Sequence, residues 1–176
     1  QKRGFLDPNY VGPEGDTLTI ASVRDSSEST TQEVLSALEQ GSRYHAYTNA
    51  NIQPYVRYSK IGNTIEHIEP LPLGSNSVPW NPAAFRPDYI AILNRENICE
   101  LVDNQGVRQV WLWGYHHGRT EPAESNMAMG RTSQANWNHD SFGDVSNSEQ
   151  TNDLPICNKT YTVFNYNFTR GTSEAL

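Results

Sequence analysis

Cysteine is nearly absent from this chain: Cys99 and Cys157 are the only two. Two thiols cannot supply the four ligands of a structural zinc site. Lysine is scarce as well, three residues against ten arginines, and the formal net charge is −7. A field of that sign repels phosphate backbones, which argues against nucleic acid as a partner. No polybasic run is present to dock on anionic lipid. Long apolar runs are missing too. The longest lies near Val110–Tyr115, far below the ~20 residues of a membrane-spanning helix. The chain carries no GxSxG elbow, no HExxH, no Walker A loop and no GxGxxG turn. The commonest forms of α/β hydrolase, zincin, nucleotide hydrolase and dinucleotide enzyme are thereby removed, while enzymes with scattered sites remain.

What the chain does hold is aromatic. Leu, Ile, Val and Phe together make up only about a fifth of the 176 residues, but there are four Trp, nine Tyr and five Phe. Large rings bury about 150–250 Å² each and offset the lean aliphatic content. The length suits one domain, expected over 1–176. No signal peptide is visible, and Gln1-Lys2-Arg3 fits the start left by removal of one. Two sequons, Asn158-Lys159-Thr160 and Asn167-Phe168-Thr169, are N-glycosylation acceptors. Cys99 and Cys157 suit either two buried free thiols or, in an oxidising compartment, one disulfide; the sequons tilt the reading toward the bridge and an extracellular setting.

Thr17–Val23 reads as a strand, being β-branched and mildly alternating. Thr30 with Glu33 forms a capping-box pattern, so a helix is expected from there to Gly41, its stripe being Val34, Leu35 and Leu38. Pro54–Glu69 reads as a hairpin or as one interrupted strand. Pro70–Arg86, with four prolines, reads as a long surface connection. A helix follows from Pro87 to Asp103. Gly106 then leads into Val107–Gly114, whose near-continuous apolar run predicts a strand covered on both faces, with Trp111 and Trp113 sharing one side. Residues 116–153 read as a long irregular loop, Ile156–Phe168 as a strand, and Thr172 onward as the first turn of a helix. The expected fold is therefore α/β: an open, mainly parallel sheet with flanking helices and a long irregular loop. A chain that stops inside a starting helix predicts truncation or processing at its C-terminus.

Open α/β sheets bind ligands beyond the carboxyl ends of their strands. That rule selects three places: Arg24-Asp25 after the first expected strand, Asn165–Arg170 at the end of the last, and, densest in chemistry, Tyr115 and His116 with Glu121 and Glu124 after the Trp111/Trp113 strand. Imidazole and carboxylates together suit acid–base chemistry or a divalent metal. No metal or other cofactor can be named from the pattern. Adjacent His116 and His117 point to opposite sides of an extended backbone. Glu121 and Glu124 equally suit solvated charges flanking Pro122, and Arg24-Asp25 equally suits an ion pair. Trp80 and Trp137, in polar surroundings, are able to stack on sugars or to pack locally.

Residues 102–127 carry VD-NQ-GV-R-Q-VW-L-WGYH, then Glu121 and Glu124-Ser125-Asn126-Met127. This resembles the "VD..GV.EVW.WGYH…E..ESNM" core of a family of secreted proteins with no assigned activity. Pro87-Asp88-Tyr89, Leu154-Pro155-Ile156-Cys157 and Tyr161-Thr162-Val163 resemble it as well, and the likeness runs over about Arg86–Arg170. Gln109 departs from it, standing where the pattern has an acidic residue. Similar sequences continue past the equivalent of Leu176 into a His-rich helix. The resemblance thus implies secretion and truncation, and no reaction.

Two functions follow as expectations. The first is an extracellular glycoprotein domain with a structural, assembly or carbohydrate-binding role, its partners being carbohydrate or other chains of an extracellular assembly. The second is a secreted hydrolase of an extracellular polymer, with or without a metal, its site at the carboxyl end of the 107–114 strand.

Overall fold

The segment expected as the first strand is helical from Ile20 onward. The computed structural model describes residues 19–43, 51–67, 71–114, 121–123, 125–131, 143–144, 153–167 and 171–175. Its contacts group into two compact units, Gln1–Pro70 with Phe168–Leu176, and Leu71–Asn167.

In the first unit, α1 spans Ile20–Gly41. Thr19 caps it: the Thr19 hydroxyl accepts from the Ser22 N–H, and the Ser22 hydroxyl accepts from the Thr19 N–H, both at 3.1 Å. This reciprocal box satisfies two otherwise orphaned amides and takes Thr19 out of the expected strand. The buried residues of α1 are Ser27, Thr30 and Val34. Their spacing is helical, but two of the three are hydroxyl residues, so the stripe is faint in a hydrophobicity pattern. The 54–66 segment, expected as strand or hairpin, contains no strand among the described residues. It runs antiparallel along α1 and is held by side chains. Glu66 meets Arg24 at 3.4 Å, Lys60 meets Glu28 at 2.5 Å, and the Thr64 hydroxyl donates to the Glu28 carboxylate. The Tyr58 N–H donates to Glu39 at 3.0 Å, and the Val56 N–H to the Ser42 hydroxyl at 3.1 Å. The late helix is present as α4, Thr172–Ala175, and the Thr172 hydroxyl donates to Glu33.

The second unit opens with an antiparallel hairpin, β1 (Leu73–Val78) and β2 (Asn81–Pro87). Its prolines made this stretch read as a loop. The hairpin tolerates them because Pro79 lies in its turn and Pro82 lies where the pairing between the strands is irregular. The predicted helix up to Asp103 is two: α2, Tyr89–Arg95, capped by Asp88, and α3, Ile98–Asp103. Asn97 separates them with φ 50°, a left-handed conformation that Asn tolerates better than most residues. Gly106, at φ 81°, turns the chain into β3, Gln109–Gly114. Then follow β4 (Ser125–Met129), β5 (Gly143–Asp144) and β6 (Tyr161–Asn167).

The sheet order is β3-β6-β4-β5. Among the described residues only β3 and β6 are parallel; β6–β4 and β4–β5 are antiparallel. An open, mainly parallel α/β sheet is therefore not what this chain forms. It forms one small mixed sheet and a separate antiparallel hairpin. The expected central strand is also corrected: among the described residues β3 pairs on one side only, and all six of its residues are half-buried. The apolar run that suggested double cover has another cause. Val110 and Leu112 pack toward the core of Tyr89, Leu93, Ile98, Val102, Ala128, Leu154, Cys157, Tyr161 and Val163. Trp111 and Trp113 alternate onto the opposite face.

Cys99 and Cys157 form a disulfide, Cα to Cα 5.1 Å, tying α3 to the entrance of β6. Around it the chain is pinned repeatedly. The Asp103 carboxylate accepts from the N–H groups of Asn158 and Lys159 at 2.9–3.1 Å. The Lys159 ammonium donates to the Asp103 carbonyl at 2.7 Å. From the end of β4, the Gly130 N–H donates to the Thr160 hydroxyl at 3.0 Å, and the Arg131 N–H to the Cys157 carbonyl at 3.1 Å.

Candidate functional site

The register of β3 on β6 pairs Trp111 with Phe164 and Trp113 with Tyr166. Paired residues share a face, so four rings gather on the side of the sheet turned away from the core. The Tyr166 ring stacks on Trp113 at 4.9 Å and meets Trp111 edge-on at 5.1 Å, while Phe164 lies 6.4 Å from Tyr166. All four are half-buried. The Trp111 indole N–H donates to Gln109 at 3.1 Å, which fixes that ring and sets a polar amide beside it. On β4, Met127 aligns with Thr162 and continues the face. The geometry offers flat apolar rings with a hydrogen-bonding edge, suited to the C–H faces and hydroxyls of a sugar. Trp111 and Trp113 on one face were legible in the sequence. Phe164 and Tyr166 were not singled out, although their two-residue spacing on a predicted strand carries the same signal.

Next to this sheet a set of buried polar groups holds residues 121–123. The Glu121 N–H donates to the Phe85 carbonyl, and the Arg86 guanidinium to the Glu121 carbonyl, both at 2.9 Å. The Ala123 N–H donates to the Tyr89 hydroxyl at 3.0 Å, and the Asn165 amide to the Ala123 carbonyl at 2.5 Å. Beyond Ala123, the Asn126 amide donates to Asp153 at 3.2 Å. Burial pushes the Tyr89 phenol up to about 12 against the opposing pull of its hydrogen bonds, so it is neutral at physiological pH. Tyr89 and Asn126 carry no site signal in the sequence beyond a helical stripe and a motif, whereas Asn165 stands in the stretch that the strand-end rule selects. A buried Asn has no periodic signature of its own.

Of the expected site residues, Tyr115, His116 and Glu124 lie outside the described residues, as do His117 and Trp137. Glu121 sits on the clamped segment, half-buried. Asp25 lies on α1, not after a strand, and pairs with Arg24 at 3.0 Å. The strand-end argument for it is thereby removed. Among the described residues no three His, Cys, Asp or Glu side chains gather as a metal site needs. Trp80 is 60% exposed at the β1–β2 turn, with the Arg86 guanidinium 4.9 Å from its ring centre. No described helix is long and apolar enough to cross a membrane. Asn158 is exposed, and Asn167 is the last residue of β6.

Comparison with protein-family models, with curated proteins and with solved structures gave no match, so function is argued from the chain's own chemistry.

Proposed function

We propose that this chain is an extracellular carbohydrate-binding domain whose binding face is formed by Trp111, Trp113, Phe164 and Tyr166. The observation that carries the reading is the ring cluster itself: four half-buried aromatics from two parallel strands, on the face opposite the core. Secretion is supported by the Cys99–Cys157 bond, by the two sequons, and by the resemblance of residues 86–170 to secreted proteins. The negative charge favours a neutral or cationic polysaccharide over a polyanion.

The test is titration of the intact chain with soluble oligosaccharides and co-sedimentation with insoluble polysaccharides, read by tryptophan fluorescence. Each ring is worth about 0.5–1.5 kcal/mol in contact. Trp113→Ala should therefore weaken binding about two- to tenfold, with far-ultraviolet circular dichroism unchanged. Unaltered affinity in a folded Trp111→Ala/Trp113→Ala variant refutes the assignment.

A polymer hydrolase is the second reading. The buried Arg86 Nε and Asn126 Oδ1 have no hydrogen-bond partner among the described residues. A buried polar group left unsatisfied calls for an explanation, of which a role in catalysis is one, and Glu121 rides on the segment beside them. Release of reducing ends from a bound polysaccharide, abolished in Glu121→Gln, would favour it.

A further inference from the structure

The sequon at Asn158 begins at the residue after the disulfide cysteine, and the folded chain uses its parts for other purposes. The N–H groups of Asn158 and Lys159 are given to Asp103, and the Thr160 hydroxyl accepts from Gly130. Gly130 approaches so closely that a methyl there would overlap the Asn158 carbonyl oxygen and the Lys159 carbonyl carbon. The acceptor residue is nevertheless exposed, so a glycan already attached has room. A transferase must take hold of an extended sequon and its threonine hydroxyl. The folded arrangement presents the asparagine and withholds the rest.

We propose that Asn158 is an N-glycosylation site open only until the Cys99–Cys157 bond forms, so that glycan transfer and disulfide closure compete for the same segment. This rests on the secreted reading above. In the transfer, the Asn158 side-chain nitrogen attacks C1 of an oligosaccharide carried on a lipid diphosphate. The N–C1 bond forms, the C1–O bond to phosphate breaks, one amide proton is lost and the lipid diphosphate leaves. In the competing step the two thiols give two electrons and two protons to a disulfide oxidant, which becomes a dithiol.

The test presents the full chain, made without glycan, to purified oligosaccharyltransferase and lipid-linked oligosaccharide in three forms: oxidised and folded, reduced, and Cys99→Ala. Glycan at Asn158 is read by peptide mass, with occupancy at Asn167 as the internal reference against general unfolding. The expected result is at least a fivefold higher Asn158-to-Asn167 ratio in the reduced and Cys99→Ala forms than in the oxidised one. An equal ratio in all three forms overturns the competition, and absence of glycan at Asn158 in every form overturns the site. Failure of the secreted reading shows separately: the intact mass of native material would then show neither glycan nor disulfide.

Discussion

Replacing Cys99 and Cys157 by alanine removes one covalent cross-link and leaves the hydrogen bonds around it in place. The sequence separation is 58, for which the chain-entropy relation gives about 14 cal/mol/K, or roughly 4 kcal/mol at 25 °C. Alanine is preferable to serine because Cys157 is 1% exposed, and a hydroxyl there would need a new partner. The unit from Leu71 to Asn167 is about 100 residues long, a size for which total stability is on the order of 5–15 kcal/mol. The bond therefore supplies a large fraction of it. Urea unfolding of the intact chain, followed by circular dichroism, should show a loss of about 4 kcal/mol. Heating should show a midpoint lower by roughly 15–30 °C, since 1 kcal/mol moves a domain of this size by about 4–8 °C. Reducing the wild-type chain should reproduce the shift, and the reductant should do nothing to the double variant. A loss under about 1 kcal/mol would refute the reasoning. It would mean that the unfolded chain already holds α3 near the β6 entrance, so that the bond removes little entropy.

Gly130→Ala should destabilise the same region by about 1–3 kcal/mol or more. The added methyl meets backbone that cannot rotate away, and the glycine is needed for space, not for a left-handed φ; near-wild-type stability in urea would show that the 158–159 backbone yields freely. The acid response has a definite sign. The Lys60 ammonium and Thr64 hydroxyl hold Glu28 below its ordinary value against burial, and the N–H groups of Asn158 and Lys159 overcome burial to do the same for Asp103. Depressed carboxylates stabilise above their unfolded values, about 4.3 and 3.9, and lose that contribution as pH falls through the folded ones. Thermal midpoints should thus fall below about pH 4, and Glu28→Gln and Asp103→Asn should flatten that fall; an unchanged acid slope in both variants counts against these contacts. The raised Tyr89 phenol works at the other end, with stability lost as pH rises from about 10 toward 12, and Tyr89→Phe should remove that alkaline step.

The parts of the fold that were legible share one property: their signal is local. The Trp111/Trp113 strand, the Tyr161–Asn167 strand, the helical stretch ending at Asp103 and the turn from Thr172 each follow from spacing and punctuation within a dozen residues. With two cysteines only one pairing is possible, and the sequons tilt the choice between a bridge and free thiols toward the bond that the structure shows. What failed required knowledge of neighbours. Ser27 and Thr30 are buried on α1 although both are hydroxyl residues, and no hydrophobicity scale marks such a face. Pro79 and Pro82 sit in a hairpin, the first in its turn and the second where the strand pairing is irregular. The order β3-β6-β4-β5 puts β6, last in sequence among these strands, between two earlier ones. Parallel or antiparallel pairing is decided by that return path, which the strand sequences do not encode. The polar residues at 121–126 carry a chemical signal by their types alone. The clamping of 121–123 by Arg86, Tyr89 and Asn165 depends on residues far away in sequence.

The placement of β6 bears directly on how a ring cluster here can recognise a ligand. At its entrance the strand is fixed by the disulfide, by Asp103 and by the close approach of Gly130. Toward its exit, Asn165 is bonded to Ala123, and the parallel register with β3 runs through to Gly114 and Asn167. Phe164 and Tyr166 are thus carried by a strand held at both ends, and Tyr166 in turn contacts both Trp111 and Trp113. A ring already fixed loses little freedom when a sugar lands on it, whereas ordering a mobile side chain costs about 0.5–1.5 kcal/mol. Weak stacking contacts give useful affinity only when that cost is small. If the ring face binds a sugar as proposed, the bonds around the two ends of β6 serve that binding as much as stability, even where the bonded residues never touch the ligand.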